Sequence, residues 1–213
     1  MNWLTKALGS SIGKKSLMAI TGFCFLLFLA VHLAGNLTLY GGQALFNAYA
    51  EHLHSLGPLV RIFEIGLLSL ALIHIITGLI LFLGNLRARP TRYAVNKRAG
   101  GRTWGSATMP YTGLLVLCFV IMHLLNFHLV DKSQTTIYAI VAATFNQAGY
   151  VCLYVVAMLV VALHVRHGFW SLFQTLGANH PKYMPFVMRA AIVVSLLLVI
   201  GFGLIPIYIA WVA

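Results

Sequence analysis

Two stretches of this chain read Thr-Gly, nine residues, then His: TGFCFLLFLAVH at 21–32 and TGLLVLCFVIMH at 112–123. Each histidine ends an almost wholly apolar run. An imidazole placed in hydrocarbon needs a hydrogen-bond or metal partner, or it costs several kcal/mol, order of magnitude. The chemistry open to such a residue is metal ligation or proton transfer, because a neutral ring offers one lone pair and one N–H.

Two further histidines follow at matching distances. His74 precedes Gly78 by four residues, and His164 precedes Gly168 by four. His32 to His74 is 42 residues; His123 to His164 is 41. The chain therefore reads as a parallel two-helix repeat, an architecture that places membrane sites between its halves.

The elements that must carry these residues are membrane spans. Of 213 residues, 61% are hydrophobic and 8% charged, far from the roughly 25% charged of a soluble domain. We expect an all-α integral membrane bundle, one domain over 1–213, with spans at about 17–39, 59–86, 109–130, 149–173 and 185–209. The first run is too long for a signal-peptide core and lacks a small-residue cleavage site, so it reads as an uncleaved span. Residues 1–15 read as a short basic segment, Phe46, Tyr49 and Leu53 mark a short surface helix, and 131–147 reads as a plain connection. Pro110 falls in the first turn of span three, where proline is tolerated, and Tyr208 and Trp211 suit an interfacial anchor.

The net charge is +11, but the basic residues lie in short loops, which points to topology signals and anionic lipid rather than nucleic acid. The N-terminus, the loop 87–104 and the turn holding Lys182 share one side, which the positive-inside rule makes cytoplasmic. Cys24, Cys118 and Cys152 show no paired spacing and give neither a disulfide framework nor a zinc motif.

Depth follows from counting. His32 and His123 each lie seven residues before the outer end of their spans, about 10 Å down at the helical rise. His74 and His164 each lie fifteen residues after an outer start, about 22 Å down. The four sort into an outer and an inner pair, each with one histidine from each repeat. Two imidazoles at one depth are what bis-histidine ligation of a haem b requires, so two haems are expected. Gly35, Gly78 and Gly168 fall three or four residues after a candidate ligand, on the same face. They leave room for a macrocycle, or equally for tight helix packing.

The remaining polar residues are less specific. Arg166 and His167 could pair with haem propionates or form an ordinary basic edge. His128 could serve a propionate or a quinone, or be a solvated boundary residue. His52, His54 and His180 lie in loops and receive no role. Glu64, the one acid within a span, could take the proton released by a quinol, or pair with Arg61 one turn earlier. A proton-coupled transporter is the competing class, but a relay usually uses more intramembrane acids. A metal-ion carrier would want carboxylate or sulfur ligands beside the histidines.

At this point the order His32, His74, His123, His164 over five spans resembles the di-haem cytochrome b membrane anchor of succinate:quinone oxidoreductases, which include succinate dehydrogenases and quinol:fumarate reductases. HLAGN at 32–36, ALFN at 44–47 and HVRHGFWSLFQTLG at 164–177 carry the resemblance, which covers essentially the whole chain. It implies that His74 and His164 hold the haem proximal to the cytoplasmic subunits, and His32 and His123 the distal one. It implies a flavoprotein and an iron–sulfur subunit docked on the cytoplasmic face of a bacterial inner membrane, and a quinone, by the habit of di-haem members a menaquinone. The loop 87–104 and SSIGKK at 10–15 are the docking candidates. The anchor itself does not act on succinate or fumarate. One departure stands out: some fumarate reductases of this type carry a glutamate two residues before the fourth ligand, where this chain has Ala162. The cytochrome b subunit of a hydrogenase or formate dehydrogenase is the alternative within redox proteins.

Overall fold

The computed structural model describes residues 2–88 and 103–212. These residues are helical almost throughout. Helix α1 (Trp3–Gly9) leads into α2 (Ser11–Asn36), and α2 passes through a 3-10 turn (Leu37–Gly41) into α3 (Gly42–Ser55). Then come α4 (Pro58–Arg87), α5 (Trp104–His123), a π-helical turn (Leu124–His128), α6 (Ile137–Phe145), α7 (Ala148–Thr175) and α8 (Met184–Val212). Among the described residues, five helical segments are long and apolar enough to cross a membrane. The protein is a multi-pass membrane protein with five candidate spans.

Its surface agrees. Phe63 is 65% exposed, Leu68 60%, Leu163 57% and Leu197 59%. Apolar side chains on this scale belong against lipid, because water-facing patches of this extent are rare in soluble monomers. Helical backbone pairs its own polar groups, as a spanning segment requires, with Pro110 and Pro206 each interrupting the ladder by one N–H.

Several boundaries differ from the sequence expectation, each for a local reason. The first long helix starts at Ser11, six residues early. Ser10 caps it, its Oγ accepting from the Gly13 N–H at 3.0 Å, so Lys14 and Lys15 lie in the first turns. The third begins at Trp104, where Thr103 and Ser106 form a reciprocal capping box at 3.1 and 3.0 Å. Pro110 is therefore inside α5 and withholds an N–H there. Residues 131–147 contain α6, whose apolar run IYAIVAATF follows the capping Thr136. Before it, Ser133 donates to Asp131 through its N–H and hydroxyl, which holds that carboxyl below its usual range.

Helix α3 forms where the surface helix was expected, with Phe46 buried, Tyr49 partly buried and Leu53 39% exposed. Gly57, at φ +52°, makes the turn into α4 in a conformation that favours glycine. Pro58 then opens α4. Helix α7 is central, packing against α8, α5 and α2, while α2 also packs against α4. The densest core joins Leu39, Phe46, Val141, Phe145, Tyr154, Ile205 and Ile209. It sits at the end of the molecule that carries α3 and α6.

Candidate functional site: two histidine pairs

His32 in α2 and His123 at the end of α5 come together with ring centroids 5.9 Å apart and planes at 88°. His74 in α4 and His164 in α7 do the same at 6.5 Å and 64°. A first-row metal lies about 2 Å from an imidazole nitrogen and the ring centre about 1 Å beyond, so two rings bracketing one ion stand about 6 Å apart. Both pairs stand at that separation. All four rings are partly buried.

The two pairs are held differently. Thr21 Oγ1 lies 2.7 Å from the Leu17 carbonyl oxygen and 3.2 Å from that of Met18, and also 2.9 Å from His74 Nδ1. Thr112 repeats the arrangement. Its Oγ1 lies 3.2 Å from the Thr108 carbonyl oxygen, 3.1 Å from that of Met109 and 3.2 Å from His164 Nδ1. The glycines that follow lie under the same rings. A Cβ added to Gly22 would stand 3.6 Å from His74 Cε1, and one on Gly113 would stand 3.3 Å from His164 Cε1. Each Thr-Gly thus seats the histidine of the helix beside it.

His32 and His123 sit among aromatic rings instead. His32 stacks on Phe28 at 5.1 Å and lies 5.6 Å from Phe202. Phe127, Phe119 and Tyr154 surround His123 at 5.3, 5.8 and 6.1 Å. Asn36 Nδ2 is 3.4 and 3.5 Å from the His32 ring nitrogens, but its shorter bond, 2.8 Å, goes to the His32 carbonyl. His123 Nδ1 is buried with no hydrogen-bond partner. A buried polar atom left bare in an otherwise packed site fits a place that is completed by something besides protein.

The other expected site residues are placed as follows. Gly78 lies in ordinary contact distance of Met18, and Gly168 has open space where a Cβ would be. At Gly35 the second of the two expectations, tight helix packing, describes the contact: the Tyr49 phenol of α3 fills the space over it, so its missing side chain admits a neighbouring helix. His167 packs on Trp170 at 4.9 Å with its Nδ1 buried and unpartnered, and Arg166 is exposed. Glu64 meets Arg61 Nη1 at 3.3 Å and His128 Nδ1 at 3.9 Å, linking the start of α4 to the π-helical turn. Of the proposed docking residues, Arg89, Arg92, Lys97, Arg98 and Arg102 lie outside the described residues.

Two surface hollows of about 310 and 410 Å³ lie away from these rings; one is against the α1–α2 junction, the other beside Phe145 and Cys152. Neither contains a histidine. The sequence alone does not single out Thr21, Thr112, Gly22 and Gly113 as contacts of the histidines, nor the aromatic collar of His123. The repeated Thr-Gly was itself the signal for the first four.

Among the described residues, no three His, Cys, Asp or Glu side chains cluster as a metal site. Each pair offers an ion two protein ligands, so any further donors come from elsewhere. No protein-family model, curated protein or solved structure matches the chain.

Proposed function

We propose that the chain is the di-haem cytochrome b membrane anchor of a succinate:quinone oxidoreductase. The observation that carries this reading is the meeting of the four intramembrane histidines in two pairs, at 5.9 and 6.5 Å between ring centroids. A porphyrin would supply the further donors that two imidazoles lack. His74 and His164 would hold the inner haem, and His32 and His123 the outer one. The bare Nδ1 of His123 and the open flank of Gly168 support an absent group. The haems, when bound, supply one-electron iron couples whose potentials the surrounding residues set.

The finer architecture belongs to the same reading: a five-span bundle built on a parallel two-helix repeat. The support is the recurrence of one cross-helix bond, Thr21 with His74 and Thr112 with His164, between the two long helices of each half. The half-sites then face one another across the interface of the repeats.

Around the haems, this chain's own groups divide the remaining work. Glu64 lies beside His128 near the outer end of α4, placed to accept a proton when a quinol, of the menaquinone type, is oxidised there. His167 and Arg166, one turn beyond His164 or less, would meet propionates. SSIGKK and the basic loop 87–104 would face the cytoplasm and dock an iron–sulfur subunit bearing a flavoprotein partner. The membrane would be a bacterial inner membrane.

A reduced-minus-oxidised spectrum of membranes holding the chain tests the reading. We expect b-type bands and two haems per chain. No Soret absorption would leave the transporter class, and a b-type chain that purifies with a hydrogenase or formate dehydrogenase in place of a flavoprotein would move it to that complex.

A further inference from the structure

Resting on the haem reading above, we infer that Thr21 and Thr112 are positioning residues for the inner haem: each hydroxyl accepts the Nδ1–H of the histidine on the neighbouring helix, and so fixes which nitrogen faces iron and how strongly it donates. A threonine hydroxyl has one proton to give. In α2 the Thr21 proton goes to the carbonyl of Leu17, 2.7 Å away. In α5 the carbonyls of Met109 and Thr108, at 3.1 and 3.2 Å, are in reach of the Thr112 proton in the same way. Each oxygen is then an acceptor toward the imidazole nitrogen, at 2.9 and 3.2 Å. With the hydroxyl proton so placed, Nδ1 carries the ring proton in both histidines. Nε2 is left as the lone-pair donor.

The glycines belong to the same arrangement. A side chain at Gly22 or Gly113 would press on Cε1, the carbon between the two ring nitrogens. Threonine holds one edge of the ring while glycine leaves its flank clear. Both features recur in both halves of the chain, across 53 and 52 residues of sequence. His32 has only the long Asn36 contacts, and His123 Nδ1 has no partner. The device belongs to one pair alone. Outer partners of this kind orient a ligating ring and raise its basicity. More donation favours the ferric ion, so losing the hydroxyl moves the midpoint potential in the positive direction.

The test uses the full chain in membranes and reads potentials and low-spin electron paramagnetic resonance signals, not turnover. In Thr21→Val and in Thr112→Val we expect the same single haem to shift to more positive potential with a displaced low-spin signal. It is the haem missing from His74→Ala. The other haem stays unmoved, and Thr→Ser at either site restores the parent values. Loss of the inner haem in the Val variants with retention in the Ser variants supports the assignment equally. Unchanged potentials, shifts in the outer haem, or Ser variants that behave like Val overturn it. A parent protein with two haems that ignore both threonines refutes this inference alone; a parent with no haem refutes the proposed function and this inference with it.

Discussion

The inner and outer histidine pairs use the same side chain in two different settings. His74 and His164 are each tied by a hydrogen bond to a threonine on the adjacent long helix, over a glycine that keeps the ring's flank free. His32 and His123 are fixed by shape, wedged among Phe28, Phe119, Phe127, Tyr154 and Phe202. The inner pair depends on two local contacts made within each half of the chain. The outer pair depends on the core beneath α3 and α6, which draws on residues from the whole length of the chain. A hydrogen bond sets orientation and electron donation together, whereas packing sets orientation alone. The two sites thus differ in how they can be disturbed.

The largest effect is expected from removing one of the proposed ligands. His74→Ala or His164→Ala should halve the haem content and leave the outer haem's spectrum in place. His32→Ala or His123→Ala should do the reverse. The haem-to-protein ratio and the split of the α band check this, and retention of both haems in any of the four variants breaks the assignment of pairs. Next comes Gly113→Leu. A Cβ there already approaches His164 Cε1 at 3.3 Å, and the rest of a leucine has to displace the ring. The inner haem should be lost with the outer one kept; equal loss of both would mean that the two tiers are not independent.

Much of this contrast was legible in the sequence, but unevenly. Histidine spacing and helical rise sort the four residues by depth, because a transmembrane helix is a straight ruler. Length and apolarity mark five spans, because lipid leaves the backbone few alternatives. The threonines escaped notice as partners because a bond between residues 53 apart depends on how two helices rotate against each other, which periodicity does not encode. The filling of Gly35 by Tyr49 escaped for the same reason. Helix α6 was hidden by its shortness: nine residues after the cap Thr136 resemble a loop unless the cap is weighted. The π-helical turn after His123 adds one residue per turn at the edge of the site. Nothing in LLNFH announces it.

Glu64 sharpens the comparison from outside the pairs. It bridges Arg61 and His128 at the start of α4 and touches neither inner histidine. Glu64→Gln keeps the size of the side chain and removes its capacity to take a proton at neutral pH. Quinol oxidation by the assembled complex should slow by roughly tenfold or more, a modest share of what a positioned base contributes. Both haems should remain, with unchanged spectra. Full turnover in this variant would leave Glu64 as a boundary ion pair.

The smallest effect is the most discriminating, because it asks whether the outer pair has a polar tether of its own. Tyr154 lies against His123, and its hydroxyl accepts from Asn126 Nδ2 at 3.2 Å. Tyr154→Phe deletes that bond, worth about 1 kcal/mol, and keeps the ring that packs on His123, Phe119, Phe127 and Phe145. If shape alone fixes the outer pair, both haems and both potentials stay as they were, and only the thermal midpoint falls by a few degrees. A displaced outer signal at unchanged haem content would instead show that hydrogen bonding reaches the outer site through Tyr154. The distinction between a tethered pair and a packed pair would then have to be abandoned, whatever the threonine variants show at the inner one.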